Sequence, residues 1–156
     1  LGDEVSPLAD VSETHLVVVA PDVRVLTVEA YKALSAPALT KPSGDIILSI
    51  SRADAQFPDL LPYHLHNDFE RVVLRLEPEI GRAKSALMAA GARVSLLAGS
   101  GASVFGIFDN SESQERAARR LRAQRDWRVF SCVTLKRAAY IEALGPCARI
   151  LERTWN

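Results

Sequence analysis

The stretch Leu96-Leu97-Ala98-Gly99-Ser100-Gly101-Ala102-Ser103-Val104-Phe105-Gly106 sets two apolar runs around a short glycine-rich turn. The apolar runs predict two strands, residues 93–98 and 103–108, which the turn joins as a hairpin. Gly99 and Gly101 can take positive φ because they lack a Cβ atom. Such a turn can point successive backbone N–H groups at an anion. The stretch therefore predicts either one lip of a phosphate site or a plain hairpin turn.

Helical patterns flank this hairpin on both sides. Before it, Asn67 and Glu70 have the spacing of a capping box at the start of a helix. Gly91 is placed to end the second of two successive helices in a left-handed conformation. After the hairpin, Ser111 and Gln114 have the same capping-box spacing ahead of an arginine-rich helix. The hairpin is therefore predicted to lie between two helical crossings.

Two further strands complete the pattern. Residues 16–20 form a β-branched apolar run that predicts a buried strand, and Thr27 is placed to cap a helix over residues 28–34. Residues 127–135 predict the last strand. The order β, α, α-α, β, β, α, β is typical of an α+β fold, a ferredoxin-like split βαβ sandwich. We expect a four-stranded antiparallel sheet with helices on one face.

Two regions have less regular patterns. Residues 38–62 form a long connection in which Ile46, Ile47 and Ile50 have helical spacing, so we predict a short helix there. Residues 138–156 predict a last helix that is interrupted at Gly145-Pro146.

The composition limits the class of protein. The chain has 156 residues, of which 48% are hydrophobic, and 19 basic and 19 acidic side chains give zero net charge. It is long enough for one ordinary domain and too apolar for a disordered protein. Zero net charge argues against a general nucleic-acid binder, which needs an excess of cations. The sequence has no apolar run near 18 residues and no signal-peptide pattern, so we expect no membrane span and a cytoplasmic protein.

Few side chains have the spacing of a metal or nucleophile site. Cys132 and Cys147 form no metal-binding pair, and we expect reduced structural thiols. His64 and His66 precede Asp68, but two histidines and one aspartate are too few ligands to predict a metal site. Ser100 would need a histidine base to act as a nucleophile, and the chain order suggests none. We therefore expect no metal site.

Three segments, in order along the chain, resemble the GHMP kinases, a family named for galactose, homoserine, mevalonate and phosphomevalonate kinases. The hairpin stretch, residues 97–106, resembles the family's third motif. Asn67-Asp68-Phe69-Glu70 and a spaced set near the N-terminus resemble the branch that phosphorylates 4-diphosphocytidyl-2-C-methyl-D-erythritol. That set consists of Val19, Pro21, Val25, Thr27 and Tyr31.

The resemblance implies an organisation as well as an activity. It implies an ATP-dependent kinase of the non-mevalonate isoprenoid pathway that transfers the γ-phosphoryl group to an alcohol. In the family, the phosphate loop that cradles ATP and the catalytic residues lie in an N-terminal domain, and this sequence contains no such loop. We therefore expect residues 1–12 to be a junction with a missing N-terminal domain, residues 13–137 to be the C-terminal domain, and residues 138–156 to be a tail.

The resemblance also implies roles for individual residues. Tyr31 matches the aromatic position that stacks on the cytosine ring of the substrate, and Thr27 matches a position near its reactive end. The glycine loop would abut the phosphate loop of the other domain; it consists of Gly99, Ser100, Gly101 and Ala102. The implied partners are a cytidine diphosphate sugar-alcohol and the N-terminal kinase domain, with ATP and Mg²⁺ bound mainly by that domain. We expect no catalytic residue in this chain, inactivity without the other domain, and self-association.

Two alternatives come from other classes of protein. The chain could be a free-standing ferredoxin-like module that regulates a partner by binding a small anionic ligand. Alternatively, the basic segment 116–137 could contact an acidic partner, although such a segment is more often a solvated helix face.

Overall fold

The computed structural model describes residue 10 and residues 12–34 and 65–148. Of these, residues 14–34 and 65–133 form one compact unit, and residues 10, 12, 13 and 134–148 belong to a second. The helix predicted within residues 38–62, most of the 1–12 junction, His64 and the end of the tail lie outside the described residues.

Four strands of the first unit form one antiparallel sheet in the order β2-β3-β1-β4. In this sheet Val17 of β1 lies opposite Gly106 of β3 and Ser131 of β4. Because β3 separates β1 from β2 and runs antiparallel to both, this is the split βαβ arrangement, and the predicted α+β sandwich is confirmed. The strands are β1 (His15–Pro21), β2 (Val94–Leu97), β3 (Val104–Phe108) and β4 (Trp127–Val133).

The structure describes five α-helices. The first unit contains α1 (Thr27–Leu34), α2 (Glu70–Leu76), α3 (Pro78–Ala89) and α4 (Ser111–Leu121). The second unit contains α5 (Arg137–Leu144) and a 3₁₀ turn, Gly145–Ala148. None of the helices in the described part of the chain is both long and apolar enough to cross a lipid bilayer.

The main core lies between the sheet and helices α3 and α4. Val17 and Val19, two residues apart on β1, are fully buried on the same face of the sheet. They belong to one apolar cluster with Ile80 and Leu87 of α3 and Leu121 of α4. The helices therefore cover one face of the sheet, as predicted.

The predicted hairpin and the predicted helix ends at Gly91 and Gly145 are confirmed. β2 and β3 lie within the predicted ranges, whereas β4 ends at Val133, two residues before the predicted end. Gly91 follows α3 with a φ of +98°, and Gly145 ends α5 with a φ of +52°. Both glycines have the left-handed backbone that terminates a helix at low steric cost.

The capping box predicted at Ser111 and Gln114 is wrong by one residue. Asn110 caps α4, because its Oδ1 accepts from the Ser113 N–H at 2.9 Å. The Gln114 side chain is instead buried, and its Nε2 donates to the carbonyl oxygens of Leu16 and Cys132 at 2.6 Å each. Gln114 thus links α4 to two strands, a contact that local capping spacing does not predict.

The other two predicted caps are also corrected. Helix α2 begins at Glu70 with Phe69 in the cap position, so Asn67 and Glu70 form no capping box. Helix α1 begins at Thr27 itself, and the Leu26 carbonyl accepts from the Ala30 N–H at 3.1 Å. Thr27 therefore lies in the first turn and does not cap it. The side chains of Asn67, Glu70 and Thr27 each contact the β2–β3 hairpin instead.

Hydrogen bonds within the second unit join residues 10 and 12 to residues 134 and 137. The Arg137 N–H donates to the Asp10 carboxylate at 3.2 Å, and the Thr134 hydroxyl donates to the Ser12 carbonyl at 2.9 Å. These bonds tie the start of α5 to residues that precede β1.

Candidate functional site

The start of α1 meets the glycine loop, Gly99–Ala102, at a pair of hydroxyl groups. Thr27 Oγ1 lies 3.3 Å from Ser100 Oγ, although 73 positions separate the two residues in sequence. In such a pair one hydroxyl donates to the other, so the second hydroxyl keeps a proton that it can donate elsewhere. The structure therefore brings together one predicted substrate residue and the predicted glycine loop.

The backbone of the glycine loop needs glycine at two positions. Gly99 has a φ of +61° and Gly101 a φ of +110°, as the sequence predicted. A Cβ atom on Gly101 would lie 3.2 Å from the Val25 side chain and 3.4 Å from the Val73 side chain. Gly101 therefore lets the loop lie directly against the residues before α1 and against α2.

Asn67 binds the loop through its side-chain amide. Its Nδ2 donates to the carbonyl oxygens of Leu97 and Gly99, each at 2.8 Å, and its Oδ1 accepts from the Phe69 N–H at 3.0 Å. Both protons of the amide and its oxygen therefore have partners. Asn67 thus joins the approach to α2 to the end of β2 and to the first residue of the glycine loop.

Glu70 binds the end of the same strand. Its Oε1 accepts from the Leu97 N–H at 2.8 Å, and its Oε2 lies 2.6 Å from Lys84 Nζ in a half-buried ion pair. A charge-assisted hydrogen bond of this kind is stronger than one between neutral groups. The Leu97 peptide groups are thus held by Glu70 at the N–H and by Asn67 at the carbonyl.

Tyr31 lies one helical turn after Thr27. Its ring and that of Phe69, in the Asn67–Glu70 segment, form a T-shaped pair with ring centroids 4.9 Å apart and an angle of 80° between the rings. The Tyr31 side chain is nonetheless 53% exposed. An aromatic ring that is packed against one neighbour and is more than half exposed can stack on another flat ring.

The other residues that the sequence singled out lie apart from these contacts. Cys132 is half-buried on β4, Cys147 is exposed, and both are free thiols. The described residues contain no group of three or more His, Cys, Asp or Glu side chains that could hold a metal ion. Arg116 pairs with Glu112 on α4 at 3.1 Å, and Arg122, the residue after α4, approaches Glu115 at 3.9 Å. Part of the basic segment is therefore neutralised on its own helix.

The partners of Asn67 and Glu70 do not follow from their local spacing. That spacing predicts a cap at each, whereas both side chains bind the hairpin about 30 residues further along the chain. Both residues lie in the segment that resembles the kinases, and this resemblance was the signal that could have pointed to a role in the site. The contact between Thr27 and Ser100 was not predicted either, although both residues were named.

The comparison with known families matches residues 49–126 of this chain to the model described as GHMP kinases C terminal. Among curated proteins, 4-diphosphocytidyl-2-C-methyl-D-erythritol kinase of Geobacter sp. (strain M21) is 35% identical over 127 residues, which are 81% of this chain and 43% of that protein. The protein of that name from Mesorhizobium japonicum is 38% identical over 132 residues, 83% of this chain and 43% of that protein. The chain therefore spans less than half the length of these curated relatives.

Solved structures have the same fold. A crystal structure of 4-(cytidine 5'-diphospho)-2C-methyl-D-erythritol kinase is 28% identical with a TM-score of 0.60, covering 86% of this chain and 48% of that one. Mevalonate kinase of L. major has a TM-score of 0.60 at 17% identity, covering 85% of this chain and 45% of that one, and shows the shared fold alone. Because the family model covers half of the sequence, this chain belongs to the GHMP kinase C-terminal family.

Proposed function

We propose that this chain is the C-terminal, substrate-binding part of an ATP-dependent kinase. The kinase phosphorylates an alcohol group of 4-diphosphocytidyl-2-C-methyl-D-erythritol in isoprenoid biosynthesis. The observation that carries the proposal is the meeting of Thr27 with Ser100 beside an exposed Tyr31. The name shared by the curated relatives supports the choice of substrate. We place the protein in the cytoplasm.

Tyr31 binds the cytosine ring in this proposal. The Tyr31 ring packs against Phe69, and 53% of the side chain remains exposed. A flat base can stack on such a face, and each stacking contact contributes about 1–3 kcal/mol. Because stacking orients the base, it also orients the sugar-alcohol that is joined to it through the diphosphate.

Thr27 and the glycine loop bind near the reacting end. Thr27 lies in the first turn of α1, and its hydroxyl pair with Ser100 keeps one proton free to donate to an oxygen of the ligand. The loop of Gly99, Ser100, Gly101 and Ala102 presents backbone to a phosphate group. Phosphoryl transfer depends mainly on such positioning and on charge stabilisation. No residue of this chain is assigned a catalytic role.

ATP and Mg²⁺ are assigned mainly to an N-terminal domain outside these 156 residues. Among the described residues, we assign only the glycine loop to a contact with ATP. The positive φ values of Gly99 and Gly101 suit a contact between backbone N–H groups and a phosphate. ATP supplies the phosphoryl group when bound. We assign residues 1–12 to the junction between the domains, 13–137 to this domain and 138–156 to a tail.

The experiment compares Tyr31→Phe with Tyr31→Ala in the intact protein, using ATP, Mg²⁺ and the cytidine substrate. Tyr31→Ala removes the stacking face, so KM for the cytidine substrate rises about five- to 150-fold. Tyr31→Phe keeps the ring and stays within about threefold of the wild type, as expected for a ring that stacks on a base. Equal KM values for the two variants would contradict the assignment of Tyr31. A wild-type protein that does not phosphorylate this substrate would contradict the function itself.

The same assay separates the kinase from the two alternatives. A free-standing regulatory module would bind an anionic ligand without consuming ATP. An interaction domain that uses residues 116–137 would bind an acidic partner and lose it as salt is raised. The names of the curated relatives favour the kinase.

A further inference from the structure

The orientation of the peptide groups in the glycine loop decides whether the loop can bind an anion. A loop that binds phosphate must turn N–H groups toward the ligand and keep its carbonyl oxygens turned away. Glycine alone does not impose this orientation, because it permits many backbone conformations. Some other group must therefore fix the peptide planes of the loop.

Asn67 makes the contacts that can do this. Its Nδ2 donates to the Gly99 carbonyl at 2.8 Å. The Gly99–Ser100 peptide is trans, so its carbonyl and the Ser100 N–H point in opposite directions. A bond that holds the Gly99 carbonyl against Asn67 therefore turns the Ser100 N–H away from Asn67.

The Ser100 N–H is available for a ligand. Among the residues that the structure describes it has no hydrogen-bond acceptor, whereas the neighbouring Gly101 N–H reaches the Ala98 carbonyl at 3.3 Å. The Ser100 hydroxyl is already paired with Thr27. Ser100 therefore contributes its own N–H as a donor, and the Thr27–Ser100 hydroxyl pair beside it keeps one further proton.

We propose that Asn67 is a positioning residue that orients the Ser100 N–H toward a phosphate group of the bound ligands. The proposal rests on the proposed kinase function for the nature of the ligand. The orientation itself rests on contacts of this chain. Glu70 supports the same arrangement, because it holds the Leu97 N–H at 2.8 Å while Lys84 balances its charge.

The test is the substitution Asn67→Asp, which keeps the shape of the side chain. It retains an oxygen to accept from the Phe69 N–H, but it replaces Nδ2 with an oxygen that faces two carbonyl oxygens. Those contacts become repulsive, so the Gly99–Ser100 peptide is released. Asn110→Asp is the matched control, because Oδ1 of Asn110 accepts from the Ser113 N–H and aspartate caps a helix equally well.

The first measurement follows the backbone amide resonances of the 156-residue chain by NMR, at a concentration where light scattering shows a monomer. We expect Asn67→Asp to shift the Gly99 and Ser100 amides while those of α4 stay in place, and Asn110→Asp to leave the loop amides unchanged. This measurement does not depend on the proposed activity. Loop amides that do not move in Asn67→Asp would overturn the positioning role.

The second measurement is steady-state kinetics of the intact kinase. Misplaced groups lower the rate of reaction steeply, so we expect Asn67→Asp to lower kcat about ten- to 100-fold. KM for the cytidine substrate should change less than about threefold, because that substrate stacks on Tyr31. Asn67→Ala, which adds no charge, should give a smaller loss of the same kind and serves if Asn67→Asp folds poorly.

The outcomes separate the two proposals. If Asn67→Asp and Asn110→Asp had the same kcat, the inference that the loop orients the Ser100 N–H toward a phosphate group would be overturned. A wild-type protein without kinase activity would overturn the proposed function and the ligand named here, and the amide resonances would still decide whether Asn67 orients the loop.

Discussion

Ser95 of β2 and Gly106 of β3 lie opposite each other in the sheet, and each has an uncommon environment. Ser95 is only 3% exposed, and its hydroxyl has no hydrogen-bond partner among the residues that the structure describes. A Cβ atom on Gly106 would lie 2.9 Å from the Ala92 Cβ and 3.2 Å from Leu87 Cδ2. Within the described part of the chain, one position therefore contains a buried polar group without a partner, and the other has no room for a methyl group.

Alanine at these two positions should have opposite effects on stability. Ser95→Ala removes a buried hydroxyl without a partner and should raise the free energy of unfolding by about 1 kcal/mol. Gly106→Ala should lower it by about 1–3 kcal/mol, because the Ala92 Cβ is fixed to the backbone and cannot move aside. Urea denaturation of the two variants measures both values. A destabilised Ser95→Ala variant would mean that the hydroxyl has a partner after all.

At the scale of the elements, one cluster of side chains joins the start of α3 to the start of β4. The Glu79 carboxylate accepts from Arg82 Nε at 2.8 Å and from Trp127 Nε1 at 2.7 Å. The Arg82 guanidinium lies 4.4 Å from the centre of the Trp127 ring. The pKa of Glu79 lies below its ordinary value of 4.5. The hydrogen bonds from Arg82 are the largest cause, and the hydrogen bond from Trp127 is the next.

This lowered pKa predicts a dependence of stability on pH. Because the folded state favours the ionised carboxylate, the contribution of Glu79 is present above pH 4.5 and is lost as the pH falls through the lower folded-state pKa. Glu79→Gln should therefore be less stable than the wild type at neutral pH, and the difference should shrink below pH 4.5. Urea denaturation across this pH range is the measurement, with Glu142→Gln on α5 as control. A difference that stays constant with pH would contradict the role of the ionised carboxylate.

The elements also show how far sequence patterns predict this fold. The hairpin, the glycines at the helix ends and the order of strands follow from local patterns, because period-two and period-3.6 burial and positive φ are local properties. The partners of Gln114, Asn67 and Glu70 do not, because each binds backbone that is distant in sequence. Local spacing predicts a cap at all three, whereas their side chains bind backbone groups of the strands and of the glycine loop.

The candidate site, too, could be predicted from the sequence only in part. Thr27, Tyr31 and the glycine loop were named from resemblance, and the positive φ of Gly99 and Gly101 was predicted from residue type. That Thr27 touches Ser100 could be known only once α1 and the hairpin were placed in space. The contact depends on the order of the strands: β3 pairs with β1, and this places the glycine loop beside the chain that leaves the end of β1 and enters α1.

At the scale of the whole molecule, the chain exposes large apolar side chains beside the candidate site. Leu26 is 46% exposed and Val28 is 63% exposed, and both flank Thr27. Contiguous exposed apolar surface favours association. We expect the 156-residue chain to self-associate as its concentration rises, as measured by light scattering.

Substitution of Val28 tests which surface drives this association. Val28→Lys should lower the apparent mass at high concentration, because it places a charge within the exposed apolar surface. Met88→Lys, a comparable change at a 47% exposed position of α3, is the control. A wild-type chain that stays a monodisperse monomer at high concentration would contradict the prediction.

The central claim is that this chain contributes the substrate-binding part of a kinase for 4-diphosphocytidyl-2-C-methyl-D-erythritol. The most direct measurement is ADP release by the intact protein with ATP and Mg²⁺, offered this substrate, homoserine and mevalonate in turn, with the 156-residue chain alone as control. We predict turnover of the cytidine substrate by the intact protein and none by the chain alone. Turnover by the chain alone, or a preference of the intact protein for homoserine or mevalonate, would contradict the account.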